Sequence, residues 1–154
     1  MRLLKALTKA LQDVGAFKDS DYSALDQGAY ICTGRDLGLG IEVARLKYDA
    51  RILIENMPDR DADSLLAFIP AWLSENDLDR SRLNLNDPDI DVALNGDGTA
   101  DVDITIEFDE GLYLIPDEDG QIIYNGKPYV VGQVTINVAE GVYEVAKRRE
   151  DDDA

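Results

Sequence analysis

Thirty-two aspartates and glutamates and not one histidine set the chemistry open to this chain of 154 residues. Without an imidazole there is no Ser-His-Asp or Cys-His activation of a nucleophile and no histidine metal ligand. The one cysteine, Cys32, rules out an internal disulfide, fits a reducing cytosol, and leaves zinc only a poor all-carboxylate site. Adjacent acids such as Asp109/Glu110 and Asp117/Glu118/Asp119 have the groups needed for acid–base work. In so acidic a chain, such neighbours arise from composition alone.

The most specific chemical pattern is Asn95-Gly96-Asp97-Gly98-Thr99-Ala100-Asp101-Val102-Asp103, whose alternating oxygen side chains and bend glycines resemble a calcium loop. Aligned on an EF-hand with Gly98 at the invariant glycine, Asn95 and Asp97 fall on ligand positions. Ala93 and Ile104 then stand where the first ligand and the bidentate carboxylate belong. A glycine-rich hairpin turn explains the same residues. Gly34, Gly38 and Gly40 have neither the phosphate-loop ending nor the dinucleotide spacing. The reading is therefore a protein with no catalytic residues, no cofactor site and no metal site, and not an enzyme.

The net charge of −17 is unevenly spread. Arg2, Lys5, Lys9 and Lys18 give the first 18 residues a positive balance against Asp13, whereas residues 83–126 hold twelve acids and no lysine or arginine. Such a field repels nucleic acid and keeps a protein soluble. No run of about 18 apolar residues is present to span a bilayer, and no signal-peptide core is visible. These features predict a soluble intracellular product, or a piece of something assembled inside a cell, that binds no nucleic acid by sequence and no membrane.

The length fits one domain over residues 1–149, followed by a disordered acidic tail at 150–154. Residues 2–14 read as an amphipathic helix, with Leu3, Leu7, Leu11 and Val14 on one stripe and Gly15 as its stop. Its basic polar side is short, so it is expected to pack on the core or on a neighbour. Asp19–Gln27 reads as a loop or short helix, and Ala29–Cys32 as a brief strand with Cys32 buried. Ile41–Asn56 alternates charged and apolar residues, as a strand, or two joined near Tyr48-Asp49, with one wet face does. The most apolar run, 63–79, predicts a helix over about 62–76 with Asp61 or Asp63 as cap. Leu65, Ile69, Trp72 and Leu73 share its face. Pro70 either bends that helix or begins a shorter one. Trp72 is buried in both cases.

The second half reads as strands in succession. Ile90–Leu94 is short, and Asp101–Phe108 is the clearest, with Val102, Ile104, Ile106 and Phe108 on one face. Leu112–Ile115 and Gln121–Tyr124 flank a hairpin loop ending in Asp119-Gly120, and Asn125-Gly126 is a two-residue turn signal. Val130, Val134, Ile136 and Val138 keep one parity past a bulge or bend at Gly132, and 141–149 fits a strand or a helical turn. The fold class is α+β: a mostly antiparallel β-sheet with two principal helices, about 2–14 and 62–76, packed on one face.

The order of these pieces resembles the phage tail completion protein R (GpR) family of contractile-tailed temperate phages. The resemblance rests on a basic first helix, a strand like Ile41–Asn56, and a proline-containing helix closing in Ala71-Trp72-Leu73-Ser74-Glu75-Asn76. Val102-Asp103-Ile104-Thr105-Ile106 and a turn through Glu118-Asp119-Gly120 follow. It covers roughly residues 1–130. What it implies is a structural tail completion or terminator protein that caps the tube at the head-proximal end of the tail and prepares it for head joining. Its implied partners are itself, as a homo-hexameric ring, the tail tube and sheath proteins, and head-neck connector proteins. The implied place is the virion tail, after assembly in the host cytoplasm. Within such a ring, segment 83–126 is expected to line the lumen and the basic first helix to face an acidic neighbour. The rival reading is an acidic DNA mimic that inhibits a nucleic-acid-binding protein.

Overall fold

Leu3, Leu4, Leu7 and Leu11 fall on one face of α1 (Arg2–Asp13), and all four are buried. Gly15, at φ +74°, ends the helix. The Ala16 N–H donates to Leu11 O at 2.9 Å and the Gly15 N–H to Gln12 O at 3.0 Å, the paired bonds of a Schellman cap. In this computed structural model, which describes residues 1–137 and 142–146, β1 (Tyr22–Asp36) and β2 (Ile41–Pro58) come next. A 3-10 turn (Asp59–Asp61), α2 (Ala62–Asn76), β3 (Asp89–Leu94) and β4 (Thr99–Pro116) follow. β5 (Ile122–Tyr124), β6 (Lys127–Asn137) and β7 (Val142–Ala146) complete the order. The strand order is β1-β2-β4-β6-β5, with β3 paired to β4 and β7 to β6. The β3–β4, β4–β6, β5–β6 and β6–β7 ladders are antiparallel. The α+β expectation holds.

Two compact units are threaded by the long strands. One comprises Met1–Ala29 and Lys47–Glu110. Here β2 buries Tyr48, Ala50, Ile52 and Ile54, and β4 buries Val102, Ile104, Ile106 and Phe108, every second residue as the pleat requires. Helix α2 adds Leu65, Ile69 and Leu73. The Tyr48 and Phe108 rings pack at a centroid distance of 5.6 Å. Each such side chain contributes about 1.5–3 kcal/mol relative to exposure.

The other unit comprises Tyr30–Leu46 and the chain from Gly111 onward. Ile41, Leu114 and Tyr129 form its small core, with Val43, Tyr124 and Val131 against them. Asn125 and Gly126 both take positive φ, 48° and 76°, and so form the primed turn that pairs Tyr124 with Lys127. A Cβ at Gly120 would overlap the Tyr129 backbone, so only glycine fits there.

Several sequence expectations change. Asp19–Gln27 is neither helix nor plain loop, because β1 begins at Tyr22 and runs fifteen residues. Cys32 is exposed, since β1 is an edge strand with no layer over it at that point. A single helix runs through Pro70, which lies on its exposed side. Asp61 is the N-cap but makes no side-chain cap bond, because the 3-10 turn already leads into the helix. Trp72 is only half-buried, for it sits on the shoulder of the Leu65–Ile69–Leu73 stripe. The two strands read at 101–108 and 112–115 are one, β4. Its end pairs with β6 and not with β5, so Asp117–Gly120 is a connection and not a hairpin loop. Gly132, opposite Tyr113, is the last residue of the ladder with β4, and β6 pairs with β7 from Gln133 onward, while Val130 lies opposite the buried Ile115. Residues 142–146 are strand. The readings for Val138, for the ends of the 141–149 segment and for the tail at 150–154 fall outside the described residues.

Candidate assembly surfaces

The carboxylates that could have done acid–base chemistry are placed by the parity of β4. Asp109 and Glu110 are neighbours in sequence but point to opposite faces, as consecutive strand residues must. Glu110 is 7% exposed and caps the start of α1, accepting the Leu3 N–H at 2.9 Å and the Tyr48 hydroxyl. The Arg2 Nε lies 4.0 Å away and the terminal ammonium 3.9 Å. Burial, then the Glu110 charge, pushes the Tyr48 hydroxyl far above its ordinary range, so Tyr48 remains the donor.

Glu42, also buried, meets Arg35 and Arg45, each at 3.2 Å. Buried Asp77 is raised by desolvation, against the pull of Arg80 at 3.2 Å. Arg80 in turn donates to the Glu107 carbonyl at 2.7 Å and to the Asn86 carbonyl, fastening the 77–86 connection to β4. No buried side-chain polar atom among the described residues lacks a partner. These carboxylates are structural ties.

The outward residues of β4 are likewise engaged. Arg51 donates to Asp103 with both arms, at 3.1 and 2.6 Å, and that hydrogen bonding holds the Asp103 carboxyl below the usual range. Glu107 accepts the Asn86 N–H at 2.9 Å and pairs with Lys47 at 3.2 Å; the first of these is the larger cause of its lowered pKa. At the suspected calcium loop, the Asp97 carboxylate accepts the Thr99 hydroxyl and N–H, and the former is the main reason its pKa falls. Asp101 accepts the Asn56 N–H at 2.8 Å and an Asn95 side-chain bond at 3.2 Å. Gly96 and Gly98 take positive φ, and Asn95 N–H reaches Thr99 O at 3.0 Å. The stretch is a self-satisfied hairpin turn. Among the described residues no cluster of three or more Cys, Asp or Glu is placed to hold a metal ion.

What is unsatisfied is apolar surface at strand edges. Residues 27–36 of β1 are exposed on both faces, with Tyr30 at 64% and Ile31 at 51%. On β3 every residue is exposed, and Ile90, Val92 and Leu94 lie opposite the buried Ile104, Val102 and Ala100. Opposed residues share a face, so these three side chains extend the core face of the sheet into solvent. Open apolar edges are what monomeric proteins avoid, since unpaired N–H and C=O groups invite another strand. A signal for the first edge was present in the sequence: Gln27 to Gly34 are eight uncharged residues in succession, in a chain that is 31% charged.

A shallow open depression lies among Asp36, Gly40, Asp117, Glu118, Asp119, Lys127 and Tyr129. No helix among the described residues is long and apolar enough to cross a membrane.

Comparison with known proteins adds what geometry alone does not. Residues 1–132 match the family described as P2 phage tail completion protein R (GpR). A relative in Haemophilus phage HP1 (strain HP1c1) is 30% identical over 129 residues, covering 82% of this chain and 78% of its own. It is described as an uncharacterized 19.2 kDa protein in the rep-hol intergenic region. No solved structure matches.

Proposed function

Since the chain belongs to the P2 phage tail completion protein R (GpR) family, we propose that it is a structural, non-enzymatic protein that caps the tail tube at the head-proximal end and readies the tail for head joining. In this reading it works as a ring of its own copies, six to match the tube, seated on the tube and meeting the sheath and the head-neck proteins. Residues 1–149 act as one assembly domain, and the acidic tail at 150–154 remains free.

The observation that carries the ring is the pair of open apolar edges on β1 and β3. A closed ring covers every edge of a repeated contact, whereas a monomer leaves them all in water. The carboxylate ties at Glu42, Asp77 and Glu110 support a structural role, because each is neutralised by an arginine or capped by hydrogen bonds and has no reactive neighbour. An acidic wall along a lumen would let DNA pass without adhering. Twelve acids without a lysine or arginine at 83–126 fit that use.

The test is size-exclusion chromatography with light scattering, on the protein alone and with purified tail tubes. Hexamers in solution, or multimers that form only on tubes, support the proposal. A monomer that ignores tubes at high concentration overturns it.

A further inference from the structure

We propose that copies join head to tail by antiparallel strand addition: β3 of one copy pairs with residues 30–33 of β1 in the next. The inference rests on the ring reading and specifies its contact.

Three constraints select this pairing. The first is charge. Two copies at net −17 repel unless they meet along uncharged strips, and the β1 edge from Gln27 to Gly34 is such a strip. β3 carries charge only at Asp89 and Asp91, towards its start.

The second is face. A Cβ added at Gly28 would lie 3.4 Å from the Leu25 side chain and 3.5 Å from the Tyr48 Cβ, so Gly28 and, by alternation, Tyr30 and Cys32 point to the side of β2 that carries Tyr48. Tyr30 and Cys32 therefore share a side, just as Val92 and Leu94 do on β3.

The third is register. Antiparallel pairing with Val92 opposite Cys32 sets Leu94 against Tyr30 on the core side and Ala93 against Ile31 on the other. A slip of one residue would put every apolar side chain on the wrong face. A slip of two opposes Ile90 to Asp36 or Asp91 to Ile31. Parallel pairing over residues 30–35 leaves Asp89 beside Tyr30 and Leu94 beside Arg35. In this register alone Val92, Ala93 and Leu94 oppose Cys32, Ile31 and Tyr30 while Asp91 meets the polar Thr33. Because the two edges differ, the contact repeats head to tail and closes as a ring or grows as a filament.

Cys32 makes this testable without disturbing β1. Val92→Cys would place a second thiol directly opposite Cys32 of the neighbouring copy. Under mild oxidation, or with a short bismaleimide, V92C is expected to give a ladder of linked species up to the full ring. V92C/C32S is expected to give none. Ala93→Cys points to the other face and is expected to link at least tenfold less. Wild-type rings with no V92C ladder, equal linking by A93C, or V92C dimers that never extend would each overturn this pairing while leaving the ring itself intact. A wild-type protein that stays monomeric with and without tubes would remove both.

Discussion

Glu110→Ala is the substitution whose cost can be worked most closely from the structure. The carboxylate is buried and accepts the Leu3 N–H at 2.9 Å and the Tyr48 hydroxyl. Its removal strands a buried hydroxyl donor, at about 1–3 kcal/mol, and gives up the Leu3 bond at about 1 kcal/mol. It also takes a negative charge from the first turn of α1, worth about 0.3–1 kcal/mol. Water entering the space recovers part of this, so the expected loss is about 2–4 kcal/mol, or roughly 5–15 °C in Tm for a chain of this size. Glu110→Gln keeps an acceptor for Tyr48 and should cost about 1 kcal/mol. Tyr48→Phe combined with Glu110→Ala should cost less than the sum of the two, by about 1–2 kcal/mol. Urea unfolding followed by Trp72 fluorescence and circular dichroism measures this, at one protein concentration because assembly couples stability to concentration. A Glu110→Ala variant within about 0.5 kcal/mol of wild type, or additive single and double variants, would refute the capping role.

Three further outcomes follow from the same packing and ion pairing. Leu7→Ala empties a fully buried site and should cost about 2–5 kcal/mol, whereas Trp72→Phe on the half-exposed shoulder of α2 should cost under about 1.5 kcal/mol; the reverse order in urea melts would contradict the packing. Gly120→Ala should lose about 1–3 kcal/mol, since its Cβ meets the Tyr129 backbone, and an unchanged midpoint would count against that overlap. Asp103 has a folded pKa below its unfolded one, so its pairing with Arg51 stabilises the fold above the usual carboxylate range and fades as pH falls through the lowered value. Arg51→Gln should therefore lower the urea midpoint near about pH 7, by a small amount because the pair is largely exposed, and the gap should close as pH falls through the lowered Asp103 value; a gap that persists in strong acid would contradict it.

The alternation of Val102, Ile104, Ile106 and Phe108 made the core face of β4 legible, because a period of two has one structural meaning. Gly15 and Asn125-Gly126 were equally plain, as each demands a backbone conformation that few residues tolerate. The same parity carries Glu110 inward, but a charge on an apolar face reads as the end of a strand until its partners are known, and those lie more than 60 residues away. Asp19–Gln27 read as a loop or short helix because an edge strand such as the start of β1 needs no apolar alternation when nothing covers it. Trp72 was misplaced because helical spacing gives the stripe but not its width. The open edges, which matter most for assembly, left a trace only at 27–34. Exposure of β3 depends on what the helices leave uncovered, and that is a tertiary fact.

The capping role itself is tested most directly by electron microscopy of tails assembled with the protein carrying a small gold label. Label is expected at one end only, the end opposite the baseplate, and on no tail made without the protein. Label along the tube, at the baseplate, or nowhere would contradict it.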